Sequence, residues 1–158
     1  MQQMTEFRQC LAKFATGVTV VTCADNSGEI YGITANSFSS VSLEPPLILW
    51  NIAKVSRSLQ EFLKAGYFAV NILAEEQKSI SKVFARSEKN LFDDIHYSKN
   101  EFGVPLLDGT LAVFECRTRE TIDCGDHHII IGEVIDYRST DSEPLVFFDG
   151  HYKAIQHD

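Results

Sequence analysis

Two adjacent histidines, His127 and His128, open an apolar run in GDHHIIIGEV, residues 125–134. Gly125 and Asp126 are typical turn residues, so the histidine pair enters a strand directly from a hairpin loop. Successive strand side chains point to opposite faces, so one histidine at most can face a given site. An imidazole in that position can donate a hydrogen bond to an incoming reactant and orient it for reaction.

A structural histidine pair, a metal site and a cysteine nucleophile are the alternatives for this stretch, and by itself the stretch favours the structural pair. Cys124, Asp126 and the two histidines are metal ligands by type, but neighbouring strand residues point apart and the sequence offers no second ligand pair. Catalysis by Cys124 would need a partner base and a lowered pKa, and the sequence indicates neither. We therefore expect no metal and no nucleophilic thiol here.

Hydroxyl groups are concentrated in TANSFSSVS, residues 34–42, where five of nine residues are Ser or Thr and Asn36 adds an amide. Short polar side chains and nearby backbone N–H groups suit the hydrogen-bonding edges of a flat heteroaromatic ring, and they also suit phosphate oxygens. A solvent-exposed edge strand would explain the pattern equally well. This stretch by itself leaves both interpretations open.

Serine and arginine cluster at the predicted start of a helix in NIAKVSRS, residues 51–58. The free N–H groups of a first helical turn, with the Ser56 hydroxyl and the Arg57 guanidinium, are able to bind an anion. Arg86, in SKVFARS, can form a bidentate pair with a phosphate. Simple capping by one serine, and a surface arginine near a helix C-terminus, are the alternatives.

These segments need a mostly β framework with short helices to position them. Met4, Phe7, Leu11 and Phe14 follow helical spacing and predict a helix over residues 4–15. Further helices are predicted over 56–66, with Ser58 and Glu61 in capping-box spacing and Gly66 as a stop, and over 75–86. Strands are predicted over 17–24, 31–42, 45–52, 67–73, 110–122 and 127–138, with a last short strand pair around Gly150.

The spacing of the turns predicts antiparallel pairing, and therefore a β-barrel with helical decorations. DCGD, residues 123–126, is expected to form a hairpin loop, and residues 88–105 read as a loop. The 158 residues contain no internal repeat, low-complexity tract or linker, which predicts a single domain over residues 1–158.

The net charge of −8 argues against nucleic acid or an anionic membrane as the main partner. Residues 51–90 nevertheless contain seven basic and four acidic residues, which would suit a small anionic ligand. Two amphipathic helices with solvated lysines explain that excess more simply.

The segments that would mark a membrane or secreted protein are missing from the sequence. No run approaches the roughly 20 apolar residues of a membrane-spanning helix, and MQQMTEFRQC lacks the apolar core of a signal peptide. We therefore expect a cytoplasmic protein. The cysteines have no CxxC spacing and are expected to be buried free thiols: Cys10, Cys23, Cys116 and Cys124.

Taken in order, five blocks of the chain resemble the flavin reductase-like, FMN-binding split-barrel family, the small reductase components of two-component flavin monooxygenases. The resemblance covers nearly the whole chain and implies a mainly β, Greek-key-like antiparallel split barrel that forms homodimers. The blocks are FATGVTVVT (14–22), GITANSFSSVSLEPPLILWNI (32–52), FAVNIL followed by FA at 84–85, GDHHIIIGEV (125–134) and PLVFFDGHY (144–152).

The resemblance also implies roles for individual residues. His127, in the GDH motif, is expected beside the flavin, where it helps to receive the nicotinamide cofactor, and His128 is expected to be structural or at an interface. Asn36 departs from the family, in which many members carry serine, so its hydrogen bond is open. The expected cofactor-binding residues are Thr34, Ala35, Asn36, Ser37, Ser40, Val41, Asn51, Ile52, Ala53, Ser56, Arg57, Phe84, Ala85, Arg86 and Tyr152.

The function implied is that of an NAD(P)H:flavin oxidoreductase. Such an enzyme binds FMN or FAD, takes hydride from NADH or NADPH, and supplies reduced flavin to a partner oxygenase. The alternatives are a flavin carrier without NAD(P)H turnover and a ferric reductase that acts through flavin. The sequence leaves open the choice between FMN and FAD and between NADH and NADPH.

Overall fold

Short helices decorate a framework of antiparallel strands in the computed structural model, which describes residues 2–158 and the side chains of residues 4–158. The helices are α1 (Gln2–Leu11), α2 (Leu59–Lys64) and α3 (Lys78–Phe84), the last preceded by a single 3-10 turn at Glu75–Gln77. The strands are β1 (Thr16–Gly17), β2 (Thr19–Ala24), β3 (Ile30–Ala35), β4 (Ser39–Leu43), β5 (Pro46–Ala53), β6 (Tyr67–Ile72), β7 (Tyr97–Lys99), β8 (Pro105–Leu107), β9 (Ala112–Cys124), β10 (His127–Ser139), β11 (Val146–Phe148) and β12 (His151–Lys153).

The main sheet has the strand order β3-β2-β6-β9-β10-β5-β4, and its pairs are antiparallel. Its two edge strands, β3 and β4, are separated by only three residues of chain, so the sheet must curl to bring its edges together. Ser37 bridges the seam, because its hydroxyl accepts a bond from the Asn51 N–H at 2.9 Å and donates one to the Asn51 carbonyl at 3.1 Å. The barrel is therefore closed at this point by a side chain instead of a strand ladder.

The predicted strand over 31–42 is wrong in one respect, because the structure divides it into β3 and β4 at residues 36–38. Phe38 turns inward there and stacks on Phe114, with ring centroids 5.7 Å apart. The Ser37 hydroxyl is hydrogen-bonded to the backbone of Asn51 on β5. The run of hydroxyl residues thus marks a sharp change of direction as well as an exposed edge.

The barrel interior is filled by one large hydrophobic cluster around Trp50. Trp50 is fully buried and meets Phe62 edge-on at 5.0 Å and Phe68 at 6.3 Å. Burial of each such side chain contributes about 1.5–3 kcal/mol. On β5 the core residues alternate with half-buried ones, so that Asn51 and Ala53 lie on the outer face.

A second cluster lies outside the barrel, under α3 and the β11–β12 hairpin. Val20 of β2 and Phe84 of α3 are buried in it, together with Leu73, Leu107 and Leu145. Because Val21 belongs to the barrel interior, β2 is covered on both faces and its residues from Thr19 to Cys23 are buried. This second cluster fixes α3 against the outer face of β3.

The β9–β10 hairpin carries the two histidines. Its strands pair continuously from His127–Cys124 to Ser139–Ala112, with two irregularities in register. The turn consists only of Gly125 and Asp126, and Gly125 has a φ of 64°. The predicted four-residue loop is therefore shorter in the structure, and His127 is already the first residue of a strand.

The helices are shorter than predicted. α1 ends at Leu11 instead of residue 15, and α2 covers Leu59–Lys64 instead of 56–66. The predicted capping box is wrong, because Ser58 makes no side-chain cap bond, and the helix stops at Ala65 before Gly66. The predicted loop 88–105 contains the short strand β7, which pairs with β8. No helix in the described residues combines the length and apolar character needed to cross a bilayer.

Candidate functional site

A cleft of about 1300 Å³ lies between the outer face of β3, the C-terminal end of α3 and the β5–α2 connection. Gly32 of β3 has no side chain, which lets the Phe84 and Phe92 rings pack directly on the strand beside the cleft. A Cβ atom at Gly32 would lie 2.6 Å from the Phe84 ring and 3.2 Å from the Phe92 ring. The predicted site residues that line the cleft are Thr34, Ala53, Ser56, Arg57, Phe84, Ala85 and Arg86.

One part of the cleft wall carries hydroxyl and guanidinium groups, which are able to bind an anion. The Ser56 and Ser58 hydroxyl oxygens lie 3.5 Å apart, and neither caps α2. Arg57 and Arg86 are exposed on the cleft wall, and the Arg57 guanidinium donates a hydrogen bond to the Ser87 carbonyl. Since α2 has only six residues, its dipole adds little, and the hydroxyls and guanidinium groups dominate the attraction for a phosphate.

Thr34 lines the cleft, but its hydroxyl is already hydrogen-bonded within the protein. It donates to the Ser81 carbonyl at 2.6 Å, which fastens β3 to α3. The Ser81 hydroxyl in turn lies 2.8 Å from the Tyr152 hydroxyl. Tyr152 therefore sits behind α3, edge-on to Phe147 at 5.4 Å, and supports the cleft wall instead of lining it.

His127 stands at the end of the cleft, because the register of β5 and β10 sets it directly opposite Ala53. Paired residues of neighbouring antiparallel strands share a face and have Cβ atoms about 4.5–5.5 Å apart. The His127 Nδ1 lies 2.7 Å from the Asp126 carboxylate, and the side chain is 45% exposed. Within the described residues its Nε2 makes no hydrogen bond, so this nitrogen is available to a ligand.

The turn that holds His127 is itself anchored. The Asp126 carbonyl accepts the Lys54 N–H at 2.9 Å, and the Lys54 ammonium lies 2.5 Å from the Asp123 carboxylate. The pKa of the Asp126 carboxyl lies below its usual value. The main cause is the hydrogen bond with His127, and the second cause is the charge of His127. Asp126 therefore stays ionised near neutral pH and keeps the imidazole oriented.

His128 faces the other way, as the pleat predicts. It pairs with Ile52, a core residue, and its Nδ1 is buried with no hydrogen-bond partner among the described residues. Its position is consistent with a structural role.

Asn51 provides the clearest sign of a ligand. Its backbone is tied to Ser37, but its side-chain Oδ1 is buried without a partner in the described part of the chain. A buried acceptor without a donor costs about 1–3 kcal/mol. Asn51 lies on the same face as Ala53 and His127, so an N–H group of a flat ligand on this face would satisfy it. The residues present therefore fit a flavin ring with a phosphorylated tail.

Other predicted site residues lie apart from the cleft lining. Ile52 is buried in the core and can offer only its backbone, and Ser40 and Val41 lie exposed on the edge strand β4. Val41 falls at the register shift of that strand. The predicted residues outside the lining are Ala35, Asn36, Ser37, Ser40, Val41, Asn51, Ile52, Tyr152 and His127.

The sequence interpretation missed one wall of the cleft. The segment 88–97, read as part of a loop, contributes Lys89, Phe92 and Tyr97 to the lining, and the turn before β3 contributes residues back to Gly28. Two aromatic residues within a polar stretch were the available signal. Their packing against Phe84 of α3 was not visible in any local pattern.

The cysteines do not line the cleft. Cys23 and Cys116 are buried, whereas Cys10 and Cys124 are exposed, which corrects the expectation that all four are buried. Burial, followed by the charge of Glu115, raises the pKa of the Cys116 thiol to about 12. Burial also raises the pKa of Cys23, with smaller effects from Glu61 and Asp25.

Comparisons with known proteins identify the family of the chain. The flavin reductase like domain family matches residues 11–156. The chain is 47% identical over 146 residues to the FMN reductase (NADH) SmoA of Agrobacterium fabrum, across 92% of this chain and 83% of that protein. It is 44% identical over 152 residues to the reductase component of the flavin-dependent trigonelline monooxygenase of Acinetobacter baylyi, across 96% of this chain and 49% of that protein.

A solved structure shows the same fold. It is the NADH:FAD oxidoreductase of Streptomyces globisporus in complex with NAD and FAD fragments, which matches with a TM-score of 0.94 at 34% identity and covers 99% of this chain and 95% of that one. This chain spans about half the length of its trigonelline-related relative. The predicted mainly β split-barrel fold and the predicted family are confirmed, and the chain belongs to the flavin reductase like domain family.

Proposed function

We propose that this chain is an NAD(P)H-dependent flavin reductase that binds FMN or FAD and releases the reduced flavin to a partner oxygenase. A bound flavin supplies a ring that accepts hydride, while the protein supplies binding and orientation. The observation that carries the proposal is the β5–β10 register, which sets His127 opposite Ala53 at the end of a cleft with an anion-binding wall.

The flavin contacts follow from the two polar parts of the site. Ser56, Arg57 and Arg86 would hold the phosphate, and the unpartnered Asn51 Oδ1 would accept a hydrogen bond from an N–H of the ring. The roles of Ala35, Asn36, Ser37, Ser40, Val41, Ile52 and Tyr152 stay predictions.

His127 would position the nicotinamide. Hydride transfer requires the two rings to stack at about 3–3.5 Å, and a hydrogen bond that Nε2 accepts from the carboxamide N–H would fix that geometry. The Asp126 carboxylate on Nδ1 favours a proton on that nitrogen and holds the ring plane. His127 would thus be needed for the hydride donor and much less for the flavin.

An oxygenase partner is supported by the relatives, among them the reductase component of a trigonelline monooxygenase. Arg57 and Arg86 are exposed, which fits a flavin that must leave after reduction. The family match over residues 11–156 supports a single domain over 1–158.

A homodimer is supported by α1. Phe7 is 65% exposed and Phe14, just beyond the helix, is 79% exposed, with Met4 and Leu11 also open to solvent. A helix shorter than about 12–15 residues is marginal in water by itself and needs a surface to pack against. We propose that a second copy covers this helix.

Anaerobic reduction of added FMN tests the activity. With catalytic amounts of protein, excess NADH or NADPH should bleach the oxidised-flavin absorbance over many turnovers. Flavin binding without bleaching would identify a carrier and overturn the reductase proposal. A parallel assay with a ferric chelate, with and without added flavin, would reveal ferric reduction through the flavin product.

A further inference from the structure

Resting on the flavin reductase proposal, we infer that Lys54 is a positioning residue for His127. In the sequence Lys54 lies between Ala53, which pairs with His127, and Ser56, which lines the cleft wall. Its backbone and its side chain each hold one side of the β9–β10 turn. Lys54 thus acts on the hydride donor through His127 and contacts neither the donor nor the flavin.

Two bonds from Lys54 bracket the turn that leads into His127. The Lys54 N–H donates to the Asp126 carbonyl at 2.9 Å, and its ammonium lies 2.5 Å from the Asp123 carboxylate near the end of β9. The turn between these two residues is exposed, and the β5–β10 pairing begins at Ala53 and His127. Strand ends with solvent-exposed backbone hydrogen bonds open readily. The two bonds therefore fix the first residue of β10 relative to β5.

The Lys54 side chain reaches the hairpin from the face opposite His127. Asp123 pairs with His128 across the hairpin, so both lie on the face from which His127 points away. Among residues 53–58, Lys54 is the one that does not line the cleft. Its ammonium is therefore directed at the hairpin and away from the proposed phosphate contacts.

The ion pair between Lys54 and Asp123 persists near neutral pH. The pKa of the Asp123 carboxyl lies below its usual value. The main cause is the hydrogen bond from Lys54, and the charges of Lys54 and His128 add to it. The two side chains are 37% and 68% exposed, and exposed ion pairs are weak and are screened by salt. Lys54 therefore changes the use of the hydride donor by a modest, salt-dependent factor.

The test measures kcat/KM for NADH, at saturating FMN, and the dissociation constant for FMN. Lys54→Gln keeps the backbone N–H and removes the ammonium, so kcat/KM should fall about threefold. The dissociation constant for FMN should stay within about 1.5-fold of the wild type. Lys54→Arg restores the charge and should retain the wild-type kcat/KM. Lys99→Gln, at an exposed lysine on β7, is the control and should change neither quantity.

Double variants separate positioning from a general structural role. In the His127→Ala background, Lys54→Gln should have no further effect, because the residue that Lys54 positions is gone. Asp123→Asn should lower kcat/KM about threefold, and its combination with Lys54→Gln should be no worse than either change alone. At an ionic strength of about 1 M the difference between the wild type and Lys54→Gln should disappear.

Other results would overturn the inference. A threefold loss that persists in the His127→Ala background would show that Lys54 acts elsewhere. Weaker FMN binding in Lys54→Gln would make Lys54 a flavin contact, and an unchanged kcat/KM would show that the backbone bond alone fixes the turn. Bleaching by the wild type and the loss in His127→Ala are measured first, so failure of the proposed function is seen separately.

Discussion

At the residue scale, the pleat of one strand separates two identical side chains. His127 lies beside Ala53 on the outer face, where Asp126 fixes one ring nitrogen, while His128 lies beside Ile52 with a buried nitrogen. A single-residue shift in register would exchange them. The Asp126 carbonyl accepts a hydrogen bond from the Lys54 N–H, and this bond fixes the β5–β10 register next to His127.

His127→Ala should lower kcat/KM for NADH about ten- to hundredfold, since one oriented hydrogen bond in the reacting complex is lost. The dissociation constant for FMN should stay within about twofold of the wild type, because the flavin contacts lie elsewhere. His151→Ala, an exposed histidine on β12, is the control. Steady-state kinetics with flavin titration measures both quantities, and equal loss of both would contradict the role of His127.

The buried thiols predict that the free energy of unfolding depends on pH. Burial raises the pKa of Cys116 to about 12, so this thiol keeps its proton in the folded chain where the unfolded chain loses it, near pH 8.5. The unfolded state then binds fewer protons, so the free energy of unfolding should fall as pH rises above about 8.5. Denaturant titrations at pH 7.5 and 9.5 measure this.

Alkylation at pH 8 with mass mapping provides the control for that prediction. In the native protein Cys124 should be modified, while Cys23 and Cys116 should react only after unfolding. Rapid modification of Cys116 in the folded protein would contradict its burial.

At the element scale, most strands could be predicted from the sequence because alternation and turn residues are local signals. The division of 31–42 could not, since Phe38 turns inward to a partner, Phe114, far along the chain. The same holds for Ser58, whose capping pattern is present but whose hydroxyl faces Ser56 instead. The serine–arginine wall of the cleft could be anticipated from residue types, whereas the wall that contains Phe92 depends on long-range packing.

The proposed phosphate contacts of Ser56 and Arg57 lead to a separate prediction. Ser56→Ala combined with Arg57→Ala should weaken FMN binding about ten- to hundredfold, because a charge-assisted bond to the phosphate is worth about 1.5–3 kcal/mol. Riboflavin has no phosphate, so its affinity should change by no more than about threefold. Calorimetry with both flavins measures the difference, with Arg138→Ala on β10 as the control. If both flavins weaken alike, the phosphate lies elsewhere.

At the scale of the whole molecule, two regions of the chain are incompletely packed: the β3–β4 seam and helix α1. Two hydrogen bonds between Ser37 and Asn51 link the β3–β4 seam to β5, and α1 presents its apolar residues to solvent. The C-terminal end of α1 is held near β12, where Lys13 pairs with Asp149 at 2.9 Å. The helix is thus anchored at one end without being buried, which is the arrangement expected of an element that a second copy covers.

Phe7→Glu combined with Phe14→Glu should therefore convert a dimer into a monomer, because two buried carboxylates without partners would cost several kcal/mol at the interface. Light scattering after size exclusion should give twice the 17.8 kDa chain mass for the wild type and the single mass for the variant. Gln9→Glu, on the same helix, adds a charge without removing apolar surface and should stay dimeric. Circular dichroism should also show less helix in the monomer, since α1 loses its support. A monomeric wild type, or a variant that stays dimeric, would show that α1 is not the interface between copies.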